Sequence, residues 1–113
     1  MATVLILEDD PDLAELYRRA LADAGHRVVG VEGHPRDVLG RPEAPDLIIL
    51  DERLGAISGL RALPELRRAY PRARVLLATA DREAAEGADL RGADLVITKP
   101  FSLKSLVALV GTA

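Results

Sequence analysis

Five short apolar runs recur along the chain with amphipathic segments between them, and this alternation constrains the fold more than any other feature. Val4–Leu7, Val28–Val31, Leu47–Leu50, Val75–Ala78 and Leu95–Ile97 are rich in β-branched residues and nearly continuous in hydrophobicity. A strand covered on one face alternates apolar and polar residues. A continuous run signals burial on both faces, the condition of a parallel sheet sandwiched between helices. The intervening segments carry the matching helical period. In Pro11–Ala24 the apolar residues Leu13, Leu16, Tyr17, Ala20, Leu21 and Ala24 form one stripe. Asp10 suits the N-cap, Pro11 the first helical position and Gly25 the position just past the end. Leu60, Leu63, Leu66, Arg67 and Tyr70 give a second stripe, whose first turns Pro64 should bend. A short Ala-rich helix is expected over Asp81–Ala88, and a last one from a Ser102 cap through Leu103, Leu106, Val107 and Val110. Between the second and third strands, His34–Ala44 contains Pro35, Gly40 and Pro42 and supports one or two helical turns at most.

The order β-α-β-(short α)-β-α-β-α-β-α predicts an α/β fold: a doubly wound, five-stranded parallel sheet with right-handed crossovers and helices on both faces. The flavodoxin-like strand order 2-1-3-4-5 is the arrangement considered. A chain of 113 residues suits a single domain, residues 1–113, with no internal repeat or linker.

Composition removes several function classes. With no cysteine, thiolate chemistry and disulfides are excluded, and with only His26 and His34 a multi-histidine metal centre is not expected. The longest apolar run, Leu106–Val110, is far shorter than the ~20 residues that cross a bilayer. The opening MATVLILEDD lacks the basic start of a secretory signal. A soluble cytoplasmic protein without membrane attachment is expected. Net charge is -3, and the 15 cations are spread along the chain rather than clustered. With Tyr17, Tyr70 and Phe101 as the full aromatic complement, direct nucleic-acid binding is not expected.

In open α/β sheets, ligands bind beyond the carboxyl ends of the strands, where the strand order reverses. The first strand ends in Glu8, Asp9 and Asp10, the third in Asp51, the fourth in Thr79, and the fifth in Thr98, Lys99 and Pro100. In the 2-1-3-4-5 order these residues share one edge. Two carboxylates 4 Å apart repel by roughly 4 kcal/mol at an effective dielectric near 20. Such a cluster calls for a cation, and all-oxygen ligands select Mg²⁺ or Ca²⁺. A carboxylate beside a metal and an ammonium can attack phosphorus, so the constellation reads as phosphoryl acceptance on Asp51. Singly, each residue has a plainer explanation, as an acid after a strand is commonly a helix N-cap. Their joint placement is what carries the reading.

These residues resemble the receiver domains of two-component response regulators, the CheY-like superfamily, over essentially the whole chain. VLILEDDPDLAELYRRAL is similar to the family's first strand, acidic pair and first helix, and DLIILDERLGAISGL to its phosphoacceptor strand and loop. VLLATA resembles the strand with the switch hydroxyl, and GADLVITKPF the strand with the Lys-Pro pair. The resemblance implies that Asp51 is phosphorylated by a partner histidine kinase or phosphotransfer protein. It implies Mg²⁺ held by Glu8, Asp9, Asp51 and the Arg53 backbone carbonyl, mainly through Asp9 in the acidic pair. Thr79 would be the switch hydroxyl, with the small Ala80 leaving access to it, and Lys99 would pair with the phosphate. The Lys99-Pro100 peptide would be cis. Output would pass to a partner or a second copy through the helix 4-strand 5-helix 5 face, and the domain would not itself be an enzyme.

Four departures from the family pattern stand out. Val96 occupies the place of the usual switch Tyr or Phe. The loop Gly55-Ala56-Ile57-Ser58-Gly59 differs from the common Pro-Gly-Met-Asp-Gly. Helices two and four are expected to be short, and the last helix to have about three turns before the sequence ends. Val96 keeps open the alternative of a receiver-fold interaction module that docks independently of phosphorylation. A small Asp-nucleophile phosphatase is the third reading, disfavoured because Arg53 stands where its second acid belongs. Of the remaining residues, His26 and His34 are expected in solvated loops, Tyr17 and Tyr70 in or at the edge of the core, and Phe101 as a packing anchor for the last helix.

Overall fold

A computed structural model describes residues 1–38, 43–88 and 92–112. The five apolar runs become the parallel strands β1 (Thr3–Leu7), β2 (Arg27–Glu32), β3 (Leu47–Asp51), β6 (Arg74–Thr79) and β7 (Leu95–Thr98). Strands β4 (Arg53–Leu54) and β5 (Ile57–Ser58) form a separate antiparallel ribbon. The main sheet has the order β2-β1-β3-β6-β7, which is 2-1-3-4-5 for its five members. Helices α1 (Pro11–Asp23), α2 (Gly59–Ala69), α3 (Arg82–Glu86) and α4 (Leu103–Val110) supply the outer layers, with a 3₁₀ turn at Pro35–Val38.

Burial on both faces follows residue by residue. From β1, Val4 and Ile6 pack with Tyr17 and Leu21 of α1 and Leu106 and Val110 of α4. Leu5 and Leu7 point the other way, onto Ala62, Leu63 and Leu66 of α2 and onto Tyr70. The central strand β3 is buried along its whole length. Tyr17 stacks on Phe101 with ring centroids 5.7 Å apart, fixing the approach to α4.

Local sequence chemistry sets the ends. Asp10 caps α1 by accepting from the backbone N–H of Asp12 and Leu13. At the other end Gly25, at φ 93°, closes a Schellman motif in which Gly25 N donates to Ala22 O and His26 N to Leu21 O. Asp81 and Ser102 cap α3 and α4 in the same way as Asp10. Pro64 lies exposed within α2, where its ring leaves the Leu60 carbonyl without the usual helical donor.

Several expectations need correction. The last helix, α4, is eight residues, about two turns rather than three. The second crossover agrees with the expectation of one or two turns at most where it is described: it holds a four-residue 3₁₀ turn at Pro35–Val38, and positions 39–42 lie outside the described residues. The loop after Asp51 is a small hairpin, since Gly55 at φ 63° followed by Ala56 makes a two-residue turn joining β4 to β5. His26 is not simply a solvated loop residue: it is half-buried, and its Nδ1 accepts from Ala2 N at 3.0 Å, pinning the start of β1. His34 Nδ1 accepts from Arg36 N and so closes the entry to the 3₁₀ turn.

Candidate functional site

Hydrogen bonding of the main sheet does not stop where the strands do. Glu8 N donates to Glu32 O at 3.0 Å, Glu52 N to Ala78 O at 2.9 Å, and Lys99 N to Thr79 O at 2.8 Å. The polar residues that follow the strands therefore hang on backbone as firmly placed as the strands themselves. Glu8, Asp51 and Thr79 are 5%, 5% and 1% exposed, while Asp9 is exposed and Lys99 half-buried.

Asp51 stands at the centre. Its Oδ2 pairs with Lys99 Nζ at 2.9 Å, and its Oδ1 accepts from Arg53 N at 3.1 Å. Glu8 Oε2 accepts from Asp10 N at 3.3 Å. Glu8 Oε1 lies 3.8 Å from Lys99 Nζ and has no hydrogen-bond partner. Burial, reinforced by the neighbouring Asp51 carboxyl, pushes the Glu8 carboxyl from its ordinary 4.5 up to about 8. One carboxylate oxygen each from Glu8, Asp9 and Asp51 lie within 4.8 Å of one another. A buried carboxylate oxygen without a donor, in an all-oxygen set with one solvent-facing member, fits a hard divalent cation such as Mg²⁺.

Thr79 is the buried hydroxyl of the site. Its Oγ1 accepts from Asp81 N at 2.9 Å and donates to Glu52 Oε1 at 3.4 Å. Asp51, Glu52, Arg53, Thr79, Ala80, Asp81 and Lys99 line a pocket of about 490 Å³ open to solvent. The Lys99-Pro100 peptide bond is cis. Val96 is half-buried and packs on the α2-side core.

Thus Glu8, Asp9, Asp51, Thr79 and Lys99, which the sequence places at the ends of four strands, converge on one edge of the sheet. Arg53 reaches the site through its backbone N–H, and its side chain is exposed. Two further residues belong to the site although the sequence reading gave them no role. Gly59 approaches the backbone under Asp51 so closely that a Cβ there would stand 2.1 Å from the Asp51 carbonyl oxygen. Glu52 turns its carboxylate onto the Thr79 hydroxyl. The available signals were a glycine opening a helical stripe and a second acid directly after the strand.

A parallel sheet of this order, with acids, a hydroxyl and a lysine on its carboxyl edge, is suited to phosphoryl chemistry on an aspartate. The response regulator receiver domain model matches residues 4–111, and the chain belongs to that family. The probable transcriptional regulatory protein TcrX of Mycobacterium tuberculosis is 38% identical over 111 residues, covering 93% of this chain and 46% of TcrX. Among solved structures, the BeF3-activated receiver domain of DrrB, a Thermotoga maritima protein, is similar with TM-score 0.84 and 28% identity, covering 99% of this chain and 96% of that one. The receiver domain of the Francisella response regulator 1452 shares the fold, with TM-score 0.87 and 23% identity over 99% of this chain and 95% of that one. The chain spans less than half the length of the curated relatives it matches. No helix among the described residues is long and apolar enough to cross a membrane.

Proposed function

We propose that this domain accepts a phosphoryl group on Asp51 from the phosphohistidine of a histidine kinase or phosphotransfer protein. The observation that carries the reading is the Asp51 carboxylate itself, held on one oxygen by Lys99 Nζ at 2.9 Å and on the other by Arg53 N at 3.1 Å, at the wall of an open polar pocket. In the transfer, the P–N bond to the donor imidazole breaks as a P–O bond to an Asp51 oxygen forms, and the electron pair leaves on the imidazole nitrogen. Lys99 supplies a fixed positive charge against the transferring oxygens. Thr79 offers a hydroxyl proton to one of them once it leaves its resting partner, and Ala80 leaves the approach open. Glu8, Asp9, Asp51 and the Arg53 carbonyl are the residues that would hold Mg²⁺, whose positive charge offsets that of the incoming phosphate.

The output surface in this reading is the face of α3, β7 and α4, which would engage a partner or a second copy. Helix α3 has five residues and none of them fully buried, so it resists displacement least among the described helices. With Val96 packed on the core in place of an aromatic ring, the change at Thr79 passes through the backbone around Ala80 and Asp81 into α3. The domain acts as a single receiver unit in the cytoplasm, where kinases and phosphodonors are found. Incubation with Mg²⁺ and a small-molecule phosphodonor should add one phosphate by intact mass, and Asp51→Asn should abolish it. A folded wild-type protein that gains no phosphate from any donor overturns the assignment.

A further inference from the structure

The Thr79 hydroxyl has one proton to give, and the side-chain acceptor within reach is Glu52 Oε1, at a long 3.4 Å. We propose that Glu52 is a positioning residue that latches Thr79 in the resting state and opposes the phosphorylated one. The inference rests on the receiver reading above and adds to it a residue that sets how readily the site switches.

Three observations carry it. First, Glu52 is held by its own backbone: its N–H bonds Ala78 O at 2.9 Å, and its carbonyl accepts from Gly59 N. The side chain therefore leaves from a fixed point between β3 and β6. Second, Thr79 is 1% exposed and its Oγ1 already accepts from Asp81 N, so its remaining proton has few places to go. Donation to Glu52 Oε1 at 3.4 Å uses that proton. Third, Glu52 lines the same pocket as Asp51 and Lys99. A phosphoryl group on Asp51 would bring about −1.5 to −2 charges into the pocket beside the Glu52 carboxylate. Recruiting Thr79 to the phosphoryl group thus requires breaking one hydrogen bond to a carboxylate and moving that carboxylate away from a new anion. Both effects act in the same direction, in favour of the resting arrangement.

The test uses beryllofluoride with Mg²⁺ as an unreactive phosphoryl mimic, and titrates binding to wild type, Glu52→Gln and Glu52→Ala. Glu52→Gln keeps an acceptor oxygen and removes the charge, whereas Glu52→Ala removes both. Affinity should rise in Glu52→Gln and rise further, by roughly tenfold over wild type, in Glu52→Ala. The gain should be larger at low ionic strength than at high, a dependence that a merely structural role would not produce. In a Thr79→Ala background the gain from Glu52→Ala should shrink to its charge component, because no hydroxyl remains to be released. Equal affinities for wild type and both Glu52 variants, with unchanged melting temperature, overturn the latch and leave the receiver reading intact. A folded wild-type protein that binds no beryllofluoride overturns both.

Discussion

Glu8 provides the sharpest test of the electrostatics, because its burial makes a quantitative demand on pH. Folding takes this carboxyl from an ordinary value of 4.5 to about 8, chiefly by removing it from water and secondarily through Asp51. Between those values the folded chain holds a proton that the unfolded chain releases. Stability from this group is therefore fully present below 4.5 and is lost as pH rises towards 8. One proton corresponds to a slope of at most about 1.4 kcal/mol per pH unit, so the whole interval sets a ceiling of about 5 kcal/mol, which solvent screening at the edge of the site lowers. That is a large share of the roughly 5–15 kcal/mol that stabilises a domain. Urea unfolding between about pH 5 and 8 without divalent cations measures the slope, and Glu8→Gln should flatten it. Added Mg²⁺ should reverse the trend, since a metal needs the ionised carboxylate and rewards its deprotonation. Parallel pH profiles for wild type and Glu8→Gln in metal-free buffer would refute the reasoning, whatever the absolute stabilities.

Other substitutions probe the parts that position the site. Gly59→Ala places a methyl group 2.1 Å from the Asp51 carbonyl oxygen, so the α2 start or the Asp51 backbone must move. A loss of about 3 kcal/mol in urea melts is expected, with slowed phosphorylation by a small-molecule donor. Leu63→Ala removes a fully buried side chain of α2 and should lower stability by about 2–5 kcal/mol while leaving the Asp51 pocket open to the donor. Asp94→Ala deletes the acceptor of Val75 N at 2.8 Å and of Arg67 Nη1 at 3.1 Å. It acts at the edge of the sheet away from the site, so thermal melting should show a loss of about 1–3 kcal/mol with the phosphorylation rate unchanged.

Much of this architecture is legible in the sequence because each strand is buried on both faces. Val4–Leu7 and Leu47–Leu50 could not be read as half-solvated strands, and that alone implies helices above and below. The caps at Asp10 and Ser102 were readable for a local reason: side chain and bonded N–H lie within three residues of each other. What the sequence hides depends on long-range geometry. The hairpin at Gly55-Ala56 pairs strands of two residues each, too short to leave a period. The bond from Ala2 N to His26 spans 24 positions, and nothing near either residue announces it. Glu52 looks like one more solvated acid until the register of β3 on β6 brings it to Thr79. The same holds for Gly59, whose requirement for a bare Cα comes from the Asp51 carbonyl above it and not from any turn of its own.

The continuation of the ladder past the strand ends has a mechanical consequence. Because Glu8, Glu52 and Lys99 each donate a backbone bond to the adjoining strand, the spacing between the carboxylates and the ammonium is set by the sheet and not by flexible loops. The edge of the sheet behaves as a rigid gauge block: it fixes the backbone positions from which the charged side chains of Glu8, Asp51, Glu52 and Lys99 leave. Accommodation of an incoming group must come from torsions of single side chains and from the segments beyond the gauge, the β4–β5 hairpin and the Ala80–Asp81 step into α3. In the proposed reading, a phosphoryl group on Asp51 should leave the sheet unmoved and displace its margins, where a partner would meet the change.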